Sequence, residues 1–117
     1  MKINLRCITL LIGTSIFSAS CHATPIHDSS GTENFVKIAA TLRAGAELCN
    51  AYTLAELDEL RQQQRKTAAE MGMLPDRFDE VFESRYQDTR AMLANTTQSE
   101  MDEICEDIDG FPIDQWR

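Results

Sequence analysis

Two cysteines constrain this chain more than any other feature. Of the four, at positions 7, 21, 49 and 105, the first lies inside a segment patterned for export and the second at its edge. Residues 1–20 open with Lys2 and Arg6, continue through an uncharged stretch over 7–17, and close on the small residues Ser18, Ala19 and Ser20. That is the three-part pattern of a signal peptide. Gly13, Thr14 and Ser15 interrupt the stretch, which falls short of the roughly 20 apolar residues that a membrane-spanning helix needs. Cys49 and Cys105 are therefore the pair left in an exported domain, and such a pair reads as a disulfide. They are 56 residues apart, and closing a loop of that size stabilises by roughly 4 kcal/mol in the chain-entropy model. A metal site is the poorer reading, because two thiols without a nearby histidine or a CxxC spacing do not complete a zinc shell.

At 117 residues the chain has room for one small domain. It carries 11 basic against 19 acidic side chains, and loss of residues 1–20 leaves a formal charge of −10. A nucleic-acid partner is not expected, since no basic surface exists to neutralise phosphates. Apolar residues make up 43% of the chain, more than a disordered acidic tail would have, so a small core can form. Residues 21–32, with Pro25, Asp28, Ser29, Ser30 and Gly31, show no apolar period and suit a flexible tether. The domain is expected over 33–117.

Within it the pattern is helical throughout. Three helices open with a hydroxyl residue followed three positions later by glutamate, the capping-box signature: Ser30 with Glu33, Thr53 with Glu56, and Thr97 with Glu100. The first helix is predicted over 33–49, with Phe35, Ile38, Leu42, Ala46 and Cys49 at helical spacing. The second runs over 54–71 with Leu54, Leu57, Leu60 and Ala68 inward, and Gly72 and Pro75 stop it. The third, over 75–94, opens with Pro75 and carries the stripe Phe78, Val81, Phe82, Arg85, Tyr86, Thr89, Met92 and Leu93. A fourth turns Met101, Ile104, Cys105 and Ile108 inward before Gly110 ends it, and the tail with Ile113 and Trp116 is expected to fold back on the core. The fold class is all-α: a small four-helix antiparallel bundle with one disulfide, preceded by a signal peptide and a flexible tether.

Little in this pattern suggests catalysis. His22 and His27, the only histidines, fall in the tether, where no pocket orients a general base. There is no nucleophile elbow and no phosphate-cradling glycine loop. The acidic run Glu103, Glu106, Asp107, Asp109 resembles a calcium loop only superficially. Counting back from Gly110 places Cys105 at the first ligand position and Trp116 at the twelfth, so oxygen donors are missing at both ends. No catalytic residue, metal ligand or cofactor is assigned. The Phe78, Phe82, Tyr86 ladder suits a plain core. Yet Ile38 and Leu42 on the first helix, with Val81, Phe82 and Tyr86 on the third, also suit the floor of a groove for a partner's amphipathic helix.

The export cut has two readings. Phe17-Ser18-Ala19-Ser20-Cys21 fits a loose bacterial lipobox, in which Cys21 becomes the lipidated mature N-terminus; an ordinary cut after Ala23 would discard it. Taken together, the small-residue run Ala39-Ala40-Thr41-Leu42-Arg43-Ala44-Gly45 leading to Cys49-Asn50, the stop at Met71-Gly72, Arg85-Tyr86 in a long third helix, the break at Thr96-Thr97, then Cys105 and Phe111-Pro112-Ile113, resemble the pilotins of type II secretion systems, the PulS/OutS family. That resemblance implies four helices, no enzyme activity, and binding of the C-terminal segment of a secretin subunit. It also implies anchoring through the N-terminal lipid to the periplasmic face of the outer membrane, since His22 rather than aspartate follows Cys21. A rival class is a soluble periplasmic acid-stress chaperone of the HdeA kind, whose negative charge would be lost at low pH.

Overall fold

A computed structural model of the chain describes residues 29–112. The signal segment, Cys21, both histidines, most of the tether and the tail with Trp116 lie outside the described residues. Within them there are four helices and no strand: α1 Ser29–Leu48, α2 Leu54–Glu70, α3 Pro75–Leu93 and α4 Gln98–Asp109.

Local chemistry sets most of the boundaries. Thr53 and Thr97 cap α2 and α4 with complete capping boxes, each accepting from the backbone N–H of the glutamate three residues on while that carboxylate accepts from the threonine N–H. Gly72 takes a φ of 91° after α2, and the Met73 N–H reaches back to the Ala68 carbonyl at 2.9 Å. Asn50 does the same after α1 with a φ of 52°, and the Ala51 N–H bonds the Ala46 carbonyl at 3.1 Å. Both are Schellman ends, and asparagine is the non-glycine residue best suited to that left-handed position. The start of α1 departs from expectation. Ser29 to Thr32, assigned to the tether on sequence, form its first turn, and Ser30 sits inside the helix instead of capping it. Glu33 does not serve a box there; its carboxylate is engaged by Arg77 of α3 and by Lys37.

The helices are arranged around α1. It runs parallel to α3, with Glu33 bound to Arg77 near the start, Arg85 Nε donating to Thr41 at 3.2 Å in the middle, and Tyr86 donating to Glu47 towards the end. Against α2 it is antiparallel, tied by Arg43 to Asp58 at 2.8 Å. Asp79 of α3 accepts Arg65 and Arg61 of α2 at 3.1 and 3.5 Å. On a further side of α1, α4 packs antiparallel through the Cys49–Cys105 disulfide, Cα atoms 5.4 Å apart, and through Ile108 against Gly45. A helix with neighbours on three sides needs small residues, and Ala39, Ala40, Ala44, Gly45 and Ala46 are all buried.

The main core comprises Val36, Ala39, Ala40, Ala68, Phe78, Val81 and Phe82. The rings of Phe78 and Phe82 stack with centroids 5.4 Å apart, and the Arg61 guanidinium covers Phe82 at 4.5 Å. Three apolar residues read as inward are exposed, Ile38 on α1 and two others. Leu54, 65% exposed, is the first residue of α2 and precedes by one turn the first α2 side chain buried in the interface, Leu57. Met92 is exposed because Leu93, 100° further round α3, takes the inward position. Arg85 is exposed as well, its guanidinium lying over the α1–α3 seam. In α4, Met101, Ile104, Cys105 and Ile108 turn inward but stay half-buried, since that helix rests mainly on α1.

Candidate functional site

Both α2 and α4 lie on α1, yet they barely touch each other. The space between them is an apolar cleft. Its floor is Leu42 and Ala46 of α1, and its walls are Leu57 and Leu60 of α2 and Ile108 of α4. Tyr52 from the α1–α2 turn and Phe111 just after α4 close the rim, with Arg43 at the edge. The cleft is narrow, with about 20 Å³ of free volume, roughly the room one water needs. Gln64 lines it too. That side chain is 4% exposed, and no described residue hydrogen-bonds its carboxamide. Among the described residues the enclosed side-chain atoms without a hydrogen-bond partner are Gln63 Oε1, Arg65 Nε and Arg43 Nη1, the last meeting Asp58 as an ion pair, so the Gln64 carboxamide is within reach of water.

The five residues assigned to a partner groove on sequence are not brought together. Leu42 lines the cleft, and Ile38, 52% exposed, continues the same face of α1 one turn earlier. Val81 and Phe82 are buried in the core, Phe82 with 1% exposure, and offer no surface. Tyr86 is half-buried, its hydroxyl donating to Glu47 and its ring lying under Arg90 at 5.7 Å. The expected groove between α1 and α3 is filled because Arg77, Arg85 and Tyr86 bridge that seam to Glu33, Thr41 and Glu47. In its place stands the cleft on the α2 and α4 side, with Leu57, Leu60 and Ile108, which periodicity had placed inward without naming their neighbours.

An ionic network stiffens the edge of the cleft. Arg43 meets Glu47 at 2.7 Å and Asp58 at 2.8 Å. Burial opposes the charge on Arg43, but the hydrogen bonds and charges of Glu47 and Asp58 outweigh it and raise its pKa above the ordinary arginine value. For Glu47 burial acts upwards, while hydrogen bonds from Tyr86 and Arg43 and the charges of Arg43 and Arg90 hold the carboxyl below its usual range. Burial and then the Glu47 carboxylate push the Tyr86 hydroxyl up. This network fixes where α1, α2 and α3 stand relative to one another and leaves α4 out. Among the described residues no ion pair reaches α4, although it carries six carboxylates. Also among them, no cluster of three or more histidine, cysteine or acidic side chains is placed to hold a metal ion.

Comparison with family models, with curated proteins and with solved structures finds no match for this chain.

Proposed function

We propose that this chain is a pilotin-like outer-membrane lipoprotein whose cleft between α2 and α4 receives the C-terminal segment of a secretin subunit and assists its targeting. The observation that carries the reading is the apolar cleft itself, with the Gln64 carboxamide in its wall. An amphipathic helix seats apolar anchors three and four residues apart in such a site, and a carboxamide pairs with a polar group beside those anchors. Because the cleft is narrow, docking requires α4 to swing away from α2. Helix α1 is the main support of α4, which touches α2 and α3 only weakly, so that motion breaks few contacts. The acidic surface favours a segment with scattered lysine or arginine and makes binding weaken in high salt.

The test is titration of the mature chain with the C-terminal peptide of a secretin encoded beside it. Leu42→Asp and Leu60→Asp should each weaken binding at least about tenfold, whereas Ser84→Asp, on the α3 surface, should not change it. Circular dichroism checks that each variant is folded. No binding by the parent, or equal binding by both folded cleft variants, overturns the assignment.

The acid-stress chaperone is favoured by a separate observation: α1 is joined to α3 by Arg77 on Glu33 and by the Tyr86 hydroxyl on Glu47, and to α2 by Arg43 on Asp58, all contacts to carboxylates. Suppression of aggregation that appears only at acidic pH, in a chain that binds no peptide at neutral pH, would favour that reading.

A further inference from the structure

We infer that, in the anchored protein, the end of the molecule carrying the α2–α3 turn rests against the lipid surface; this rests on the lipoprotein reading above. Leu74 is 74% exposed and Met71 42%. With the half-buried Met73 they edge a shallow depression completed by Ser29, Thr32 and the Glu33–Arg77 pair. Folding does not call for an apolar side chain at position 74. Gly72 supplies the left-handed turn, Pro75 opens α3, and Leu74 precedes that helix without a side-chain capping bond. A serine or aspartate would cap better and be better hydrated. Ser29 is the first residue of α1, so the apolar turn lies beside the point where the chain arrives from Cys21.

Reach identifies the occupant. The eight steps from Cys21 to Ser29 span at most about 28 Å when fully extended, and α1 is about 30 Å long. With Cys21 in the bilayer, the Ser29 end stays nearer the surface unless the tether is drawn fully straight, and only then could the disulfide end approach it head-on. The charge distribution agrees. The six acids of α4 sit on the distant half of α1, where Ile108 meets Gly45 and Cys105 joins Cys49, away from anionic headgroups. Near the turn, Glu33 and Glu80 are both paired by Arg77, while Glu70 and Asp76 are exposed and are the acids an anionic surface would repel. The contact is then apolar in nature, two exposed side chains entering the headgroup layer, and it persists in high salt.

A tryptophan at position 74 reads this directly. The chain beginning at Cys21 has one free thiol, since Cys49 and Cys105 are bonded. It is coupled through that thiol to a maleimide phospholipid in vesicles of phosphatidylethanolamine and phosphatidylglycerol. Mass spectrometry of the N-terminus of the cell-made protein decides separately whether acylation occurs, so failure of the lipoprotein reading and failure of this one are told apart. In a Trp116→Phe background, Leu74→Trp should shift its emission to shorter wavelength and be quenched by brominated acyl chains, in low and high salt alike. Leu48→Trp, exposed at the far end of α1, should not be quenched, and Met71→Trp provides a second probe of the turn. Unquenched emission from both folded turn variants would overturn the proposal, as would equal quenching at positions 48 and 74. So would a blue shift that follows protein density instead of lipid, which would assign the patch to a second copy of the chain.

Discussion

At the scale of single residues, Gly45 is the tightest point. A Cβ built there would stand 2.5 Å from Ile108 Cδ1, so the absence of a side chain is what lets α4 approach α1. Alanine in a helix interior is otherwise favoured over glycine by about 1 kcal/mol. Because only the terminal methyl of the half-buried Ile108 has to rotate away, gain and clash offset in Gly45→Ala alone, which is expected to leave the urea midpoint little changed. In an Ile108→Val background, which removes the offending methyl, the same change should raise it. Additive effects in the double-mutant cycle would contradict the close approach. Glu47 and Glu33 supply a pH dependence. For Glu33 the Arg77 hydrogen bond is the main cause, and both carboxyls lie below the ordinary value of 4.5. A depressed folded-state pKa gives stability that is present above the unfolded value and lost as pH falls through the folded one. Stability should thus decline below about pH 4.5, and Glu47→Gln should flatten that decline while costing about 1–2 kcal/mol at pH 7. Urea titrations of the parent and the variant between pH 3 and 7 give both numbers.

At the scale of the helices, α4 stands apart. It packs mainly on α1, with no ion pair among the described residues and no fully buried side chain. A 12-residue helix is marginal in isolation, so the disulfide is its main restraint. Replacing Cys49 and Cys105 with alanine should lower global stability by a few kcal/mol. Before that, amide exchange should quicken throughout α4 while α1, α2 and α3 keep their protection; uniform loss across all four helices would show that α4 is an integral layer instead. The sequence made the helices themselves legible, because Thr53, Thr97, Gly72 and Pro75 act within one turn of where they stand. It could not show the start of α1, since Glu33 is drawn to Arg77, 44 residues away. Nor could it show the lateral order. A stripe such as Ile38, Leu42, Gly45 and Cys49 says that a face is apolar without saying which helix covers it. That choice is made by Ile108 over Gly45 and by the disulfide, so the groove residues assigned to α3 fell in the core and Leu57, Leu60 and Ile108 took their place.

At the scale of the whole molecule, the two apolar features occupy different ends of α1. The cleft is built on Leu42 and Ala46 towards the disulfide, and the exposed turn with Leu74 and Met71 lies beside Ser29. Between them the core of Val36, Ala40, Phe78 and Phe82 is closed. A molecule held at its Ser29 end therefore presents the cleft to the aqueous side, and neither contact consumes the surface of the other. Peptide affinity should then agree within about twofold between the free chain and the chain anchored on vesicles. The pair Met71→Asp and Leu74→Asp should remove the lipid contact and leave peptide affinity unchanged. The converse holds for Leu60→Asp, which should lose the peptide while lipid quenching of a tryptophan at position 74 persists. Peptide titrations on vesicle-bound and free protein measure all three. A large loss of affinity on anchoring would mean that the cleft faces the bilayer, which would turn the molecule over and remove the basis for an accessible docking site.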